Sequence, residues 1–348
     1  MNQARSQRIV MDGYGSYSGM EKGCFVLKDR KGNEEKYPLF ENQISEVVLR
    51  SGNMVSTGAL ASLGFWDVDV MVLTQRGRPV AVMKSLDDDS HVKTRLCQYE
   101  ALNNGKGAYV AKQIVSSKMR GQNILLEKYG LESHGEDDVQ SKIESLESSN
   151  LDIFRKKLTG MEGKFTEKYF NQIFQLLPVG LRPAKRKKFK AYDGLNNIFN
   201  IAYEMLSWKV HRAIIRAKME PYLGFLHSVQ YGKLSLVCDL QELYRYVVDD
   251  FVIQFCQDLK ERDFTVKSES ISRKKKGKRK YLNNAETKHM MKELENYFES
   301  KVEIPLIRHG NSQKLETLIN EEALLLAIYL RDEKKMWVPR ISPPLYMR

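Results

Sequence analysis

Residues 235–251 read SLVCDLQELYRYVVDDF, and this stretch decides how most of the chain folds. Its apolar residues recur every three or four positions, which is the spacing of one face of an α-helix. The other face carries acids, which need partners because an isolated buried charge is costly. We therefore predict a buried helix that presents a polar ladder to a site. The apolar face is Leu240, Leu243, Val247 and Phe251, and the ladder is Asp239, Glu242, Tyr246 and Asp249.

The helical pattern of this stretch extends over most of the chain from about residue 95. The first 85 residues differ, because short alternating runs are separated there by turn residues, which is typical of β-structure. The predicted strands are RIVMDG, CFVLKD, SEVVLRSG, VDVMVL and PVAVMK, and TGALASLGF is a short helix. The predicted fold class is α+β, with a small N-terminal β-rich domain followed by a larger all-α-helical catalytic domain. The boundaries are 1–85 for the β-domain, 86–95 for a linker, 96–332 for the helical domain and 333–348 for an irregular tail.

The chain is basic, with 56 Lys and Arg against 44 Asp and Glu and a formal net charge of +12. An excess of this size indicates a polyanionic partner, most often nucleic acid, although a basic surface without a partner is the alternative. The lysine-rich run 272–281 is equally consistent with a DNA-touching loop and an inert surface loop. The run 182–190 leads into a helix, which favours an ordered basic rim. The predicted DNA-binding residues are Arg182, Lys185, Arg186, Lys187, Lys188 and Arg245.

Several classes of protein are disfavoured by what the sequence lacks. The four cysteines form no CxxC pair, which argues against a zinc knuckle or a disulfide framework. No GxxxxGK[ST], HExxH or GxSxG motif occurs, nor a GxGxxG turn after a strand, which argues against triphosphatase, zincin, hydrolase and dehydrogenase chemistry. The first residues lack an apolar signal core, and the longest apolar run, 323–330, is shorter than the roughly 20 residues that span a bilayer. We expect a cytoplasmic protein that does not enter a membrane.

Glu162 and His227 are ionisable residues that also lie in apolar surroundings. Glu162 shares a helical face with Phe165 and Tyr169, so it is expected to face the interior. Gly160 permits a helix to begin just before Glu162, and a carboxylate that favours the positive end of a helix dipole is the alternative. His227 closes the turn-rich segment PYLGFLHS, where a core histidine with satisfied hydrogen bonds is the alternative.

Glu242 completes the set of candidate site residues. Asp239 followed three residues later by Glu242 also fits a capping box, which would explain both acids without a site. If Glu162, His227 and Glu242 instead converge, two carboxylates and one imidazole suit Mg²⁺ or Mn²⁺ better than zinc. Such a site could hold a cation with open positions for water or a phosphate oxygen, as phosphoryl transfer requires.

The sequence also resembles a known family, the CRISPR-associated integrase that inserts new spacers into the CRISPR array. The resemblance runs from about residue 8 to residue 332 and rests on motifs in a fixed order. In the first part these are VMDGYGSYS, PLFENQISEVVL and STGALASLGFWDVDVMVLTQRGRPVA. In the second part they are SSKMRGQNILL, MEG followed by YF, DGLNNIFNIAYEML, PYLGFLHS and SLVCDLQELYR.

The resemblance implies a β-domain that leads into a larger helical domain. It implies that Glu162, His227 and Glu242 are the metal ligands and that Asp239 is an auxiliary acid beside them. Asn196, Asn200 and Arg245 match polar positions near the site. It further implies a homodimer formed through the β-domain, assembly with a small companion CRISPR adaptation protein, and binding of double-stranded DNA with 3′ ends and of CRISPR repeat DNA. Asp193-Gly194 departs from the Asp-Pro that is common in the family, which is expected to alter a helix start.

The resulting hypothesis is a metal-dependent DNA integrase or endonuclease of CRISPR adaptation. It would insert short duplex DNA into the repeat array by transesterification, in which a 3′-hydroxyl attacks a phosphodiester, with Mg²⁺ or Mn²⁺ as the cofactor. One alternative is a casposon-type integrase or a structure-specific nuclease that uses the same site on different DNA. The other is a non-enzymatic DNA-binding scaffold whose acids only cap helices.

Overall fold

The computed structural model divides the chain into two compact units, Met1–Ser90 and His91–Arg348, which are described separately below. No helix in the described part of the chain is long and apolar enough to cross a bilayer. The residues that the structure describes are 7–11, 13–39, 44–66, 68–75, 79–83, 91–133, 136–147, 150–188, 191–272, 275–303 and 312–340.

In its described residues, the first unit contains two four-stranded sheets and one helix. One sheet has the strand order β1-β5-β7-β8, with parallel β1–β5 and β5–β7 pairs and an antiparallel β7–β8 pair. The other has the order β4-β3-β2-β6. All five strands predicted from alternation are present, as is the helix TGALASLGF. The elements are β1 (Gln7–Met11), β2 (Tyr17–Glu21), β3 (Cys24–Lys28), β4 (Glu34–Pro38), β5 (Ile44–Arg50), β6 (Met54–Val55), α1 (Thr57–Phe65), β7 (Asp69–Leu73) and β8 (Pro79–Met83).

The second unit is mainly helical, as predicted, but it also contains two antiparallel strand pairs that the sequence reading missed. Its helices are α2 (His91–Glu100), α3 (Lys106–Lys128), α4 (Glu136–Glu144), α5 (Leu151–Ile173), α6 (Gly194–Arg216), α7 (Ser235–Gln241), α8 (Arg245–Phe255), α9 (Asn284–Glu299) and α10 (Leu315–Leu330). Its strands are β9 (Phe264–Ser272), β10 (Lys275–Leu282), β11 (Lys301–Glu303) and β12 (Ser312–Lys314). The fold class is therefore α+β, with β-sheets first and helices second.

The core of the helical unit forms around α3, which is buried along most of its length. α3 packs against α5 and α8, while α6 packs against α7, α8 and α10. Burial on nearly all sides is expected of a central helix, whose apolar residues are not confined to one stripe. This packing brings α3, α5, α6 and the α7–α8 region together around one pocket.

Two boundaries of the sequence prediction are corrected. Residues 91–95 were assigned to the linker but belong to α2, whose inward residues Thr94 and Gln98 are fully buried; residues 86–90 lie outside the described part. The tail is irregular up to Arg340, as predicted, but it is not loose. Trp337 is 1% exposed and donates its indole N–H to buried Glu322 at 2.6 Å. The remaining predicted tail residues, 341–348, are not described.

Candidate active site

A pocket of about 570 Å³ lies in the helical unit, between α3, α5, α6, the basic segment after α5 and the α7–α8 junction. Glu162, His227 and Glu242 all line it, although they are far apart in the sequence. Asp249 at the far end of the polar ladder also lines it. Tyr246 of the ladder does not, because its ring is buried against Gly121 of α3. The pocket therefore receives the predicted acids and histidine but only part of the ladder.

Glu162 lies in the middle of α5, so the helix-start alternative for this residue is wrong. The helix begins eleven residues earlier, at Leu151, where the Asn150 side chain accepts hydrogen bonds from two backbone N–H groups of the first turn. Gly160 is accommodated within the helix. As predicted, Glu162 faces inward, and its side chain is 17% exposed at the pocket. One of its carboxylate oxygens accepts a hydrogen bond from Thr166 Oγ1 at 2.7 Å.

Lys118 of α3 lies between the two glutamates of the site. Its ammonium forms ion pairs with Glu162 and with Glu242, the latter at 2.7 Å. Burial alone would lower the pKa of Lys118, but the two carboxylates outweigh it and raise the pKa above its usual value. Lys118 was not among the residues predicted from the sequence. The available signal was a lysine inside SSKMRGQNILL, a run buried on nearly all sides, where a charge needs a partner.

Glu242 occupies a single 3-10 turn between α7 and α8 and is 4% exposed. Its Oε1 atom forms an ion pair with the Arg245 guanidinium at 2.7 Å. Burial acts to raise the pKa of Glu242, but Arg245, Lys118 and His227 together lower it to about 2. Oε2 lies 2.7 Å from the Lys118 ammonium, so each carboxylate oxygen of Glu242 is paired with one cation and retains a further lone pair.

Asp239 is not part of a capping box, because α7 begins at Ser235 and Asp239 lies inside it. Its fully buried carboxylate instead accepts hydrogen bonds from the backbone N–H groups of Phe225, Leu226 and His227 at 2.5–3.0 Å. Asp239 therefore holds the loop after α6 in place and does not line the pocket.

Asp239 also fixes the imidazole of His227. The His227 Nδ1 atom lies 2.7 Å from Asp239 Oδ1, and a carboxylate at this distance places the proton on Nδ1. Nε2 then has a lone pair, and it makes no hydrogen bond within the described structure. Gly224 is required in this loop because an added Cβ would lie 2.7 Å from the His227 carbonyl oxygen and 2.9 Å from Asp239. The core-histidine alternative does not fit a ring that lines the pocket.

A second polar layer lies deeper in the pocket. Asp249 accepts hydrogen bonds from Tyr169 at 2.7 Å and Tyr203 at 2.5 Å. Burial raises the pKa of Asp249 to about 6, against the effect of these tyrosines and of two arginines. One of them, Arg186, lies 5.2 Å from the centroid of the Tyr203 ring. The sequence placed Asp249 in the ladder but could not show that two tyrosines from other helices would bind it.

The predicted DNA-binding residues separate into two groups. Arg186, Lys188 and Arg245 line the pocket. Arg182 is used structurally, since its guanidinium donates to the Leu177 carbonyl at 2.8 Å. Lys185 and Lys187 are exposed and do not line the pocket. The segment that carries them is shaped by Asn196 and Asn200 of α6, whose side chains bond the backbone of residues 185–188, and Asp193 caps α6 directly before Gly194.

The site fits a divalent cation by its donor chemistry, although no three acidic, histidine or cysteine side chains in the described part of the chain form a ready-made metal cluster. Two carboxylates from different helices already hold one cation, the Lys118 ammonium. The remaining lone pairs of these carboxylate oxygens and the lone pair of His227 Nε2 add to this set. Oxygen donors with one nitrogen suit Mg²⁺ or Mn²⁺.

Comparison with known proteins identifies the family to which the chain belongs. Residues 9–287 match the family model described as CRISPR associated protein Cas1. The chain is similar to the CRISPR-associated endonuclease Cas1 2 of Pyrobaculum aerophilum, with 32% identity over 72% of this chain and 83% of that protein. Among solved structures, a casposase bound to integration product has a TM-score of 0.74 at 20% identity and covers 98% of this chain and 95% of its own. A chain of a partial Cas6-RT-Cas1–Cas2 complex has a TM-score of 0.71 at 18% identity, covering 98% and 100%.

The fold and the extent of the family match place the chain among the CRISPR-associated proteins. Within that class it belongs to the Cas1 family. The family resemblance predicted from the sequence motifs is confirmed.

Proposed function

We propose that this protein is a metal-dependent DNA integrase and endonuclease of CRISPR adaptation. The observation that carries the proposal is the convergence of Glu162, His227 and Glu242 on one pocket that is also lined by Lys118, Arg186, Lys188 and Arg245. Acids that can hold a cation and bases that can hold a phosphodiester are the two requirements of phosphoryl transfer. The named relative is an endonuclease, and the casposase neighbour was solved with an integration product, which supports the same chemistry here.

The proposed metal ligands are Glu162, Glu242 and Nε2 of His227. A bound Mg²⁺ or Mn²⁺ would supply Lewis-acid activation of a hydroxyl and neutralise charge on the leaving oxygen. Asp239 keeps His227 in the tautomer whose Nε2 has a lone pair. The pairing with Arg245 keeps Glu242 ionised, since the pKa of Glu242 is about 2. Lys118 and Arg245 offer N–H donors to the non-bridging oxygens of the phosphodiester that is attacked.

The reaction we propose is transesterification. A 3′-hydroxyl of a short double-stranded DNA attacks a phosphodiester of CRISPR repeat DNA, and the displaced 3′-oxygen leaves with a proton. The proposed partners are DNA duplexes with 3′ ends, the repeat DNA, a second copy of the chain bound through the β-rich unit, and a small companion CRISPR adaptation protein. The neighbour solved in a Cas1–Cas2 complex supports the last of these.

A strand-transfer assay tests the proposal. A labelled duplex with free 3′-hydroxyls is incubated with a plasmid that carries repeats, in the presence of Mn²⁺ or Mg²⁺. Glu162→Gln and Glu242→Gln are expected to reduce joining about 10³-fold or more, because each removes a charge from the site. The matched control is Glu167→Gln, which changes an exposed glutamate on the same helix and should retain activity.

The same assay separates the alternatives. Full joining activity in both site variants would refute the catalytic assignment and leave a DNA-binding scaffold. If the protein joins transposon ends in preference to short duplexes supplied for a repeat array, it is a casposon-type integrase. The observation that favours this alternative is the casposase TM-score of 0.74.

A further inference from the structure

The lysine-rich run, for which the sequence predicted a loop that either touches DNA or is inert, contains strand β10 of the β9–β10 hairpin. Strands β9 and β10 pair antiparallel, with Lys278 opposite Ser268, Arg279 opposite Lys267 and Lys280 opposite Val266. Strand β10 reads KKGKRKYL and contains no acid, while β9 reads FTVKSESIS and contains one. The sequence analysis missed these strands because like charges at successive positions hide the alternation that marks a strand.

The base of the hairpin is fixed to the body of the helical unit. The ring of Phe264 packs against Gly194, where any Cβ would overlap it, and Leu282 is 6% exposed. The backbone N–H of Lys280 donates to the Tyr192 carbonyl at 2.9 Å, and its carbonyl accepts from Asn197 Nδ2 at 2.7 Å. The strands are thus an ordered feature rather than a free loop, so little entropy is lost when they bind a partner.

The anchor points place the hairpin beside the basic rim of the pocket. Asn197 of α6 bonds β10, while Asn196 in the same helical turn bonds the backbone of Lys185 and Lys187. The segment that carries Lys188 into the pocket and the strand that carries Lys278 are therefore held by neighbouring side chains of one helix. The positive charge of the pocket continues onto the hairpin.

Among the hairpin residues whose exposure the structure describes, two lysines are exposed, and Val266 is the exposed bulky apolar residue. Lys267, Ser268 and Lys278 are all exposed, on strands of nine and eight residues. At about 3.4 Å per residue the ribbon is roughly 27 Å long. A two-stranded ribbon of this kind fits the major groove of B-form DNA, which is about 12 Å wide and bordered by phosphates.

We propose that the β9–β10 hairpin is a DNA-binding arm that lies in a groove of the duplex next to the reaction pocket. The proposal rests on the proposed function, since it takes DNA to be the substrate. Lys267 and Lys278 contact phosphates on the walls of the groove, and the ribbon sets the direction in which the duplex leaves the pocket.

The test measures affinity for a 30-base-pair duplex against salt concentration. Each phosphate contact contributes about 0.9 to the slope of log K against log salt, so Lys267→Ser with Lys278→Ser should reduce the slope by about 1.8. When salt is lowered from 1 M to 0.1 M, the affinity of the double variant should therefore rise roughly 60-fold less than that of the wild type. The single variant Lys278→Ser should reduce the slope by about 0.9. The matched control is Lys334→Ser with Lys335→Ser, which removes the same charge from exposed positions elsewhere.

Two comparisons make the result specific. A single strand of the same length should be affected less than the duplex; equal losses on both would overturn groove binding. A slope unchanged from the wild type, or changed as much in the control, would also overturn the proposal. Glu242→Gln should bind duplex normally but fail to join strands, whereas the hairpin variant should join strands at saturating DNA. Normal binding by the hairpin variant together with inactive Glu242→Gln would reject the arm and retain the proposed function.

Discussion

Replacing Lys118 with methionine is the sharpest test of how the site is built. Methionine preserves most of the side-chain length but removes the charge shared by Glu162 and Glu242. Removing one partner of a buried ion pair costs about 3–5 kcal/mol. We expect the lower end, about 3 kcal/mol, because Glu242 retains Arg245 at 2.7 Å and Glu162 retains Thr166 at 2.7 Å.

A divalent cation should restore the stability that Lys118→Met loses. For a unit of this size, about 3 kcal/mol corresponds to a Tm lower by roughly 6–12 °C in EDTA. Two carboxylates that have lost their ammonium should bind Mn²⁺ more tightly, and a metal at 100 times its Kd adds about 2.7 kcal/mol of stability. The assay is thermal unfolding followed by circular dichroism, with EDTA and with increasing Mn²⁺. The wild type should gain less, since its ammonium competes with the metal for the same oxygens.

Lys128→Met is the matched control on the same helix. Lys128 pairs with buried Asp250 at 2.7 Å, away from the pocket, so its loss should destabilise the protein similarly without creating a cation site. Equal rescue of both variants by Mn²⁺, or no rescue of Lys118→Met, would refute the inference that the two glutamates form one cation site. An unchanged Tm in Lys118→Met would refute the ion-pair energetics themselves.

Three other buried contacts carry predictions. Asp239→Asn leaves backbone N–H donors of the His227 loop without an acceptor and should cost about 1–3 kcal/mol in urea unfolding and most strand-transfer activity. Asp249 has a folded pKa of about 6 against an ordinary 3.8, so the unfolded chain binds fewer protons between these values. Wild-type stability should therefore fall, relative to Asp249→Asn, by about 2 kcal/mol as pH rises from 4 to 7, as measured by urea unfolding across that range. Trp337→Ala should cost about 3–5 kcal/mol, checked by thermal unfolding, since it removes a buried ring and the donor to Glu322.

The elements that the sequence predicted correctly are those with several apolar residues to bury. RIVMDG and SEVVLRSG are rich in Val, Ile and other apolar residues and form β1 and β5, and TGALASLGF forms α1. Strand β4 reads EEKYP and was missed because it has little to bury, as its exposed residues show. Strand β10 was missed for a similar reason, because its successive lysines and arginine show no alternation of apolar and polar residues. Local pattern therefore predicted buried elements and failed where pairing between strands, rather than burial, fixes the backbone.

The candidate site shows the same limit on a longer scale. Glu162, His227 and Glu242 could be selected because each is an ionisable residue in an apolar run. Lys118 belongs to the same class, but its two partners lie 44 and 124 positions further along the chain, and no local spacing connects them. The spacing of Asp239 to Glu242 fits both a cap and a polar ladder, whereas the fold uses Asp239 to hold a loop twelve residues upstream. Spacing identifies neighbours on one helix; which helices face each other depends on the packing of the whole unit.

The charges of the pocket favour a polyanionic substrate once a divalent cation is bound. Arg245 and Lys118 neutralise Glu242, and Lys118 also neutralises Glu162. Arg186 and Lys188 line the same pocket, and their positive charge is offset by Glu204 and, above about pH 6, by Asp249. A site that only capped helices would need none of these additional bases. A divalent cation on the carboxylates makes the pocket positive, and an approaching phosphodiester offsets that charge.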